Sequence, residues 1–262
     1  MTVDADSHDR SNDSSDSSHD RSPPGSEGAT RRYYDDFSER YERGRRKGYH
    51  ALIDELEFEV LRPLVEGRRV LEVGCGTGLI LERLRPLAGE LQGIDLSPGM
   101  LEKARARGFD VTEGNVTALP FDDATFDVVC SFKVLAHVPD IGKALAEIAR
   151  VTKPGGHMVL EFYNPWSLRF LAKRLGRPGS ISERRTEADV YTRWDSPLVI
   201  RRILPPGVEL IDYRGVRVLT PTAALHRLPA VGSALRFLER RALTSRLRYL
   251  GGFLVAILRK QH

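Results

Sequence analysis

The 262-residue sequence predicts an α/β fold: one open, mostly parallel sheet of seven strands with helices on both faces. Three observations lead there. Short apolar strand patterns alternate with helical patterns between residues 68 and 164. A glycine-rich turn follows the first of those strands and opens a helix in VLEVGCGTGLI, residues 70–80. A sixth strand, a long crossing and a last apolar strand follow, a natural end to an open sheet.

Residues 1–29 read as a disordered acidic tail. The stretch is rich in Ser and Asp and nearly free of large apolar residues, so it buries too little surface to offset the entropy of ordering. His8 and His19 lie in it without the fixed geometry a metal site needs. One domain is expected over 30–262, opened by a helical cover at 30–66. RRYYDDFSERYERG puts Tyr33, Tyr34, Phe37 and Tyr41 at helical spacing. YHALIDELEFEVLRPLV continues as a second helix with Leu52, Leu56 and Val60 on one face, and Gly67 ends it.

The alternation then begins. RRVLEVG is a short buried strand and TGLILERLRPL a helix. LQGIDLS is the second strand, followed by the helix PGMLEKARARG with Pro98 at its start. DVTEGNV and TFDVVCSFKVL are strands. DIGKALAEIARVTKPGG is an amphipathic helix closed by Pro-Gly-Gly, and HMVLEFYN is the fifth strand. After Asn164 the regularity breaks. Residues 165–195 lack a strand signal and mix Trp166, Phe170, Tyr191 and Trp194 with seven Arg or Lys. SPLVIRRIL looks helical, GVELIDYRGVRVL reads as a strand, and GGFLVAILRK is the last strand. Between those strands, 220–250 is a basic helical insertion with Val231, Leu235, Leu238 and Ala242 on one face.

Charge is uneven along the chain. Residues 1–30 hold six Asp and one Glu against two Arg, whereas residues 165–262 hold 19 Arg or Lys against 7 Asp or Glu. A basic final third suits an anionic membrane, nucleic acid or an acidic substrate; a solvated arginine face explains it equally. No apolar run approaches the roughly 20 residues that span a bilayer. The polar N-terminus is no signal peptide. The two cysteines, Cys75 and Cys130, have no metal-ligand spacing, so no metal is expected and a reduced, cytoplasmic setting fits.

Glycines after a strand let the backbone approach a ligand, and the following helix presents free N–H groups. A dinucleotide fingerprint would need Gly where Leu79 stands, and no Gly-Lys-Ser/Thr of a phosphate loop is present. The motif is Glu-x-Gly-x-Gly-x-Gly over Glu72, Gly74, Gly76 and Gly78. Asp95 ends the second strand, 19 residues after Gly76, where a carboxylate can accept two hydrogen bonds from a ribose diol. The competing reading is a cap for the helix after it.

Together VLEVGCGTG, GIDLSPGMLEKAR, GNVTALPFDDATFDVV and ARVTKPGG resemble a class I S-adenosylmethionine-dependent methyltransferase of the ubiquinone/menaquinone-biosynthesis-like (type 11) group. The likeness covers residues 30–164, and beyond them only the strand pattern. It implies a Rossmann-like sheet whose last strand is antiparallel, helical lids at 165–195 and 220–250, and S-adenosylmethionine as cofactor. It implies Glu72 near the methionine ammonium, the backbone of Gly74, Cys75 and Gly76 along the cofactor, and Asp95 on the ribose beside Leu96. Met100 would pack on adenine. Asn115 stands where the family often has Asp and would accept from the adenine amino group, with Val116 offering its N–H. Ser131 and Phe132 would flank the methionine portion, and Tyr33 with Tyr34 would close over the whole. Plain packing of that aromatic stripe on the sheet is the competing reading.

Methyl transfer needs in-line positioning and exclusion of water, with a general base for some acceptors. His137, just after the fourth strand, stands where such a base would act; a structural histidine is the alternative. Lys133 either helps an anionic substrate or is merely solvated. Tyr163 and Asn164 end the fifth strand, at the edge where open α/β sheets bind ligands, and are expected to line the acceptor pocket. The expected function is therefore methyl transfer to a small-molecule or lipid-like acceptor, with peripheral membrane contact through the basic third. The alternatives are a non-catalytic S-adenosylmethionine-binding partner subunit and an RNA methyltransferase. No recognisable RNA-binding domain is appended, so nucleic acid is the weaker partner.

Overall fold

The computed structural model describes residues 27–42, 45, 48–175, 191–220 and 222–261. His8, His19 and most of the acidic tail lie outside the described residues, as do 176–190 of the first insertion. The first helix, α1 (Glu27–Tyr41), starts inside the stretch read as tail. It is followed by α2 (Gly48–Val65), β1 (Arg69–Val73), α3 (Leu79–Leu84), β2 (Glu90–Asp95), α4 (Pro98–Ala106), β3 (Asp110–Glu113), β4 (Phe126–Ser131), α5 (Ile141–Val151) and β5 (Thr152–Tyr163). Then come α6 (Leu168–Leu175), α7 (Pro197–Ile203), β6 (Val208–Val216), α8 (Pro229–Ala242) and β7 (Phe253–Lys260).

The seven strands form one sheet in the order β3-β2-β1-β4-β5-β7-β6. β1 to β5 pair in parallel, while β7 runs antiparallel between β5 and β6. Both expectations, seven strands and an antiparallel last strand, are met. Strand alternation divides the core in two. Leu71, Val129, Leu160 and Leu254 face the helices α5 and α7, whereas Val70, Cys130, Val159 and Val255 face α2 and Leu243 beyond α8. Both faces are covered, so the strands read as near-continuous apolar runs. Among the described residues no helix is long and apolar enough to cross a membrane.

Two local expectations need correction. Pro154, Gly155 and Gly156 do not close α5 but lie inside β5, which starts at Thr152. Thr152 turns extended, its hydroxyl donates back to the Ile148 carbonyl at 2.7 Å, and a bulge between Phe126 and Val128 absorbs the extra residues. The apolar face expected of α8 is only half the face it buries: Val231 and Leu238 are exposed, as is Phe237. Ala242 of the expected face is buried and Leu235 half-buried, and Glu239 turns inward with them. The Glu239 carboxylate accepts from the Val218 and Leu219 backbone N–H groups at 2.8 and 3.0 Å and from the Thr220 hydroxyl at 2.7 Å. A buried carboxylate with three donors outweighs the apolar stripe.

Candidate functional site

The C-terminal ends of β1, β2, β4 and β5 open into one cavity of about 600 Å³, within the range of small-molecule sites. Val73, Asp95, Phe132 and Tyr163 mark those four ends on its wall. α1 roofs it with Tyr33, Tyr34, Phe37 and Tyr41. The roof is tied down. The Asp35 carboxylate accepts from the Ser97 hydroxyl at 2.5 Å and the Gly99 N–H at 3.1 Å, Arg107 pairs with Glu42 at 2.7 Å, and Lys103 donates to the Ser38 carbonyl.

The glycine turn forms the floor. Gly74 and Gly76 have φ of 75° and 52°, the left-handed region where side chains are strained. A Cβ on Gly74 would lie 2.0 Å from a Val134 methyl, while Gly76 has nothing within 4 Å of that position and so faces open space. The Gly76 N–H donates to one Asp95 carboxylate oxygen at 2.8 Å and the Ser97 N–H to the other at 2.9 Å. α4 is capped by the Ser97 hydroxyl, which accepts from Met100 N–H, so Asp95 is not its cap. Burial pushes the Asp95 pKa up, with the backbone N–H groups of Ser97, Gly76 and Leu96 pulling it back.

Of the residues expected at the site, Tyr33, Gly74, Gly76, Asp95, Leu96, Met100, Asn115, Val116, Phe132, His137 and Tyr163 line the cavity. Glu72, Cys75, Ser131 and Asn164 do not. Alternation turns Glu72 to the α2 face, where one carboxylate oxygen is buried without a hydrogen-bond partner and burial pushes its pKa well up. Cys75 packs into the small core of Leu81, Leu101 and Phe109. The Ser131 hydroxyl donates to the Val73 carbonyl at 2.9 Å. The Asn164 amide donates to the Tyr249 and Gly251 carbonyls at 2.8 and 3.0 Å, which fixes the turn before β7. Asn115 lines the cavity, but its amide oxygen already accepts from the Thr117 N–H and hydroxyl at 2.9 and 3.0 Å. Two donors occupy both lone pairs, so the expected acceptor role at adenine is not available in this conformation.

His137 sits between Tyr34 and Tyr163, ring centroids 6.4 and 5.6 Å away. Its Nδ1 lies 2.8 Å from the Tyr191 carbonyl, which sets the proton of the neutral ring on Nδ1 and makes Nε2 the basic nitrogen. Lys133 is neither solvated nor free for a substrate. Its ammonium lies 2.7 Å from Glu57 and 3.2 Å from Asp54, and Asp54 also pairs with Arg45 at 3.0 Å. Burial works against the Lys133 charge, but Glu57, Asp54 and Glu161 raise its pKa. Burial and the neighbouring Glu57 push Glu161 well above the carboxylate range.

Sequence reasoning missed this cluster, although a signal existed: Asp54 and Glu57 share the helical face of Ile53, Leu56 and Val60, where solvated carboxylates do not belong. It also missed the far end of the cavity, where Tyr49, Arg169, Arg217 and Phe253 join Tyr163. Among the described residues no group of His, Cys, Asp and Glu forms a metal site, and Cys75 and Cys130 are free, buried thiols.

Comparison with known proteins bears on this geometry. Residues 71–160 match the methyltransferase domain family. The ubiquinone biosynthesis O-methyltransferase of Alkalilimnicola ehrlichii is 36% identical over 119 residues, 43% of this chain and 48% of that protein. The demethylmenaquinone methyltransferase of Renibacterium salmoninarum is 44% identical over 104 residues, 38% of this chain and 44% of its own length. The chain thus spans about half the length of the curated relatives it matches. Among solved structures, an S-adenosylmethionine-dependent methyltransferase of Thermotoga maritima, a possible histamine N-methyltransferase, superposes with a TM-score of 0.63 at 22% identity, over 88% of this chain and 99% of that one. At that identity the likeness is one of fold.

Proposed function

We propose that this chain, built on a methyltransferase domain over residues 71–160, transfers a methyl group from S-adenosylmethionine to a small-molecule or lipid-like acceptor. One observation carries the reading: a single cavity joins the open glycine turn and Asp95 to an aromatic end at Tyr163 and Phe253. The residues present fit the cofactor. The Asp95 carboxylate, held by backbone N–H groups at Gly76 and Ser97, keeps acceptor capacity for a ribose hydroxyl. Gly76 offers unfilled space against its backbone. Leu96, Met100 and Val116 supply an apolar slot for a base, and Phe132 with Tyr33 flanks the rest.

When bound, the cofactor supplies an electrophilic methyl on a sulfonium. The chain's own residues do the remaining work. The anchored aromatic roof excludes water, and Tyr163 with Phe253 orients the acceptor for in-line attack. Nε2 of His137 takes a proton from an acceptor hydroxyl where one is lost. The names of the relatives above support a quinol-like or lipid-like acceptor. The two free, buried thiols support a reducing compartment.

Calorimetric titration with S-adenosylmethionine and S-adenosylhomocysteine, with NAD as control, tests the reading. Saturable binding of the two sulfur nucleosides and not of NAD is the expected result. Binding without turnover across quinols, phenols and lipids would favour a non-catalytic partner subunit. A second reading concerns location: exposed Val231, Phe237 and Leu238 beside Arg240 and Arg241 support peripheral contact with an anionic membrane. Co-flotation with phosphatidylglycerol vesicles, lost on Phe237→Ser, is the expected outcome; no flotation at low salt ends this second reading.

A further inference from the structure

The far end of the cavity carries charge that the reaction itself does not need. Five cationic side chains line the cavity: Arg45, Lys133, Arg169, Lys173 and Arg217. Two carboxylates line it, Asp95 and Asp140, and Asp95 belongs to the glycine-turn end. Arg45 and Lys133 are matched by Asp54 and Glu57. Arg169 makes no ion pair with a described residue, and its Nη1 is buried without a hydrogen-bond partner.

Arg169 is also held in place. Its guanidinium carbon lies 4.1 Å from the Tyr163 ring centre, 4.6 Å from Phe253 and 5.1 Å from Trp194. Three rings occupy its surroundings and the Tyr163 hydroxyl takes a hydrogen bond from it, so the buried Nη1 edge is left for an in-plane partner. Arg217, at φ 59° and 5.1 Å over Tyr49, anchors its Nε on the Thr220 carbonyl at 2.9 Å. The two arginines converge on Gly252. A Cβ there would meet the Arg169 stem at 3.1 and 3.2 Å and the Arg217 stem at 3.2 Å, so glycine lets both stems cross the start of β7 together. Burial lowers the Arg217 pKa; the Tyr49 hydroxyl it hydrogen-bonds works the other way, and the like charge of Arg169 adds to the lowering. Glu239, which also faces Arg217, is already committed to three donors at Val218, Leu219 and Thr220. Glu161, which faces Arg169, lies beside Glu57, and burial favours its neutral form.

We propose that Arg169 and Arg217 form an oxyanion subsite, and that the acceptor is an apolar or aromatic molecule bearing a carboxylate held there while its nucleophile faces the glycine-turn end. The Arg169 guanidinium, with its Nη1 buried and without a hydrogen-bond partner, is unfavourable in an aromatic cage unless an anion meets it. A planar carboxylate matches the fork of Arg169. The inference rests on the proposed function for the word acceptor, but the subsite itself is readable without turnover.

The test is titration of the full chain, with and without S-adenosylhomocysteine, by benzoate, by its neutral isostere benzamide and by inorganic phosphate, read by calorimetry and by Trp194 fluorescence. Benzoate is expected to bind at least about tenfold tighter than benzamide, a preference of about 1.4 kcal/mol by the affinity arithmetic. Arg169→Gln removes the preference, and Arg169→Lys, which keeps the charge but loses the fork, retains part of it. Thermal melting verifies that both variants fold; should Arg169→Gln not fold, Gly252→Ala, which displaces both stems, replaces it. Equal binding of benzoate and benzamide, no benzoate binding, or a preference untouched by Arg169→Gln overturns the proposal. Phosphate binding tighter than benzoate overturns the carboxylate assignment. Failure of S-adenosylhomocysteine to bind, with the benzoate preference intact, would count against the proposed function alone.

Discussion

The two ends of the cavity are built on different principles. At the glycine-turn end the contacts come from backbone: Gly74 and Gly76 at positive φ, and a carboxylate, Asp95, fixed by two N–H groups. All of it falls within residues 73–116, on consecutive strand ends. At the other end the contacts are side chains from α2, β5, α6, the stretch after β6 and the start of β7, represented by Tyr49, Tyr163, Arg169, Arg217 and Phe253. A ligand common to many relatives can be held by main chain, whose geometry tolerates sequence change. A ligand particular to one protein has to be read by side chains. The Lys133 cluster lies on the wall of the same cavity.

The largest expected effect is at the Lys133 cluster. Lys133→Ala leaves Glu57 and Asp54 without their ammonium in a buried setting and is expected to cost about 3–5 kcal/mol of stability in urea denaturation. A loss below about 1 kcal/mol would mean the cluster is solvated in solution. Next is Gly74→Ala. The added methyl meets Val134 at 2.0 Å in a strained backbone region, so cofactor affinity should fall about a hundredfold or more. Benzoate affinity at the arginine end should be nearly unchanged; a parallel loss would merge the two ends into one cooperative site. Asp95→Ala removes charge-assisted bonds worth about 1.5–3 kcal/mol, so S-adenosylhomocysteine should bind roughly 10- to 100-fold more weakly by calorimetry.

The smallest effect is a pH slope. Folding raises the Glu72 pKa well above its ordinary 4.5, chiefly by burial, so the folded chain binds more protons than the unfolded chain above that pH. Stability from this group is present below about pH 4.5 and declines as pH rises toward the folded value. Glu72→Gln should flatten the fall in melting temperature between mildly acidic and neutral pH. An unchanged slope would show that Glu72 is ionised at neutral pH, matched by a charge at the glycine-turn end.

The contrast between the ends also decides what the sequence makes legible. The strands, the glycine turn and Asp95 are local patterns: period-two apolarity, Gly spacing and a carboxylate at a strand end. Glu72 was readable as part of the motif, but not the direction it faces, because alternation is fixed only once β1 is paired on both sides. Asn115 has the right chemistry for the contact expected of it and spends it on Thr117 two residues away. The arginine pair is invisible in one dimension. Residues 49, 163, 169, 217 and 252 meet only because β7 inserts antiparallel between β5 and β6. The α8 face is only half legible, because Glu239 answers donors on a loop about 20 residues earlier.

The hydrogen bonds from Asp35 to Ser97 and Gly99 have a kinetic consequence. Ser97 is also the residue whose N–H holds Asp95, so the roof helix and the carboxylate at the floor share one joint. A ligand that leaves past α1 has to break that joint, and local unfolding of α1 has to break it as well. Ligand residence time and amide hydrogen exchange in the first helix are therefore governed by the same barrier, and slowing one slows the other.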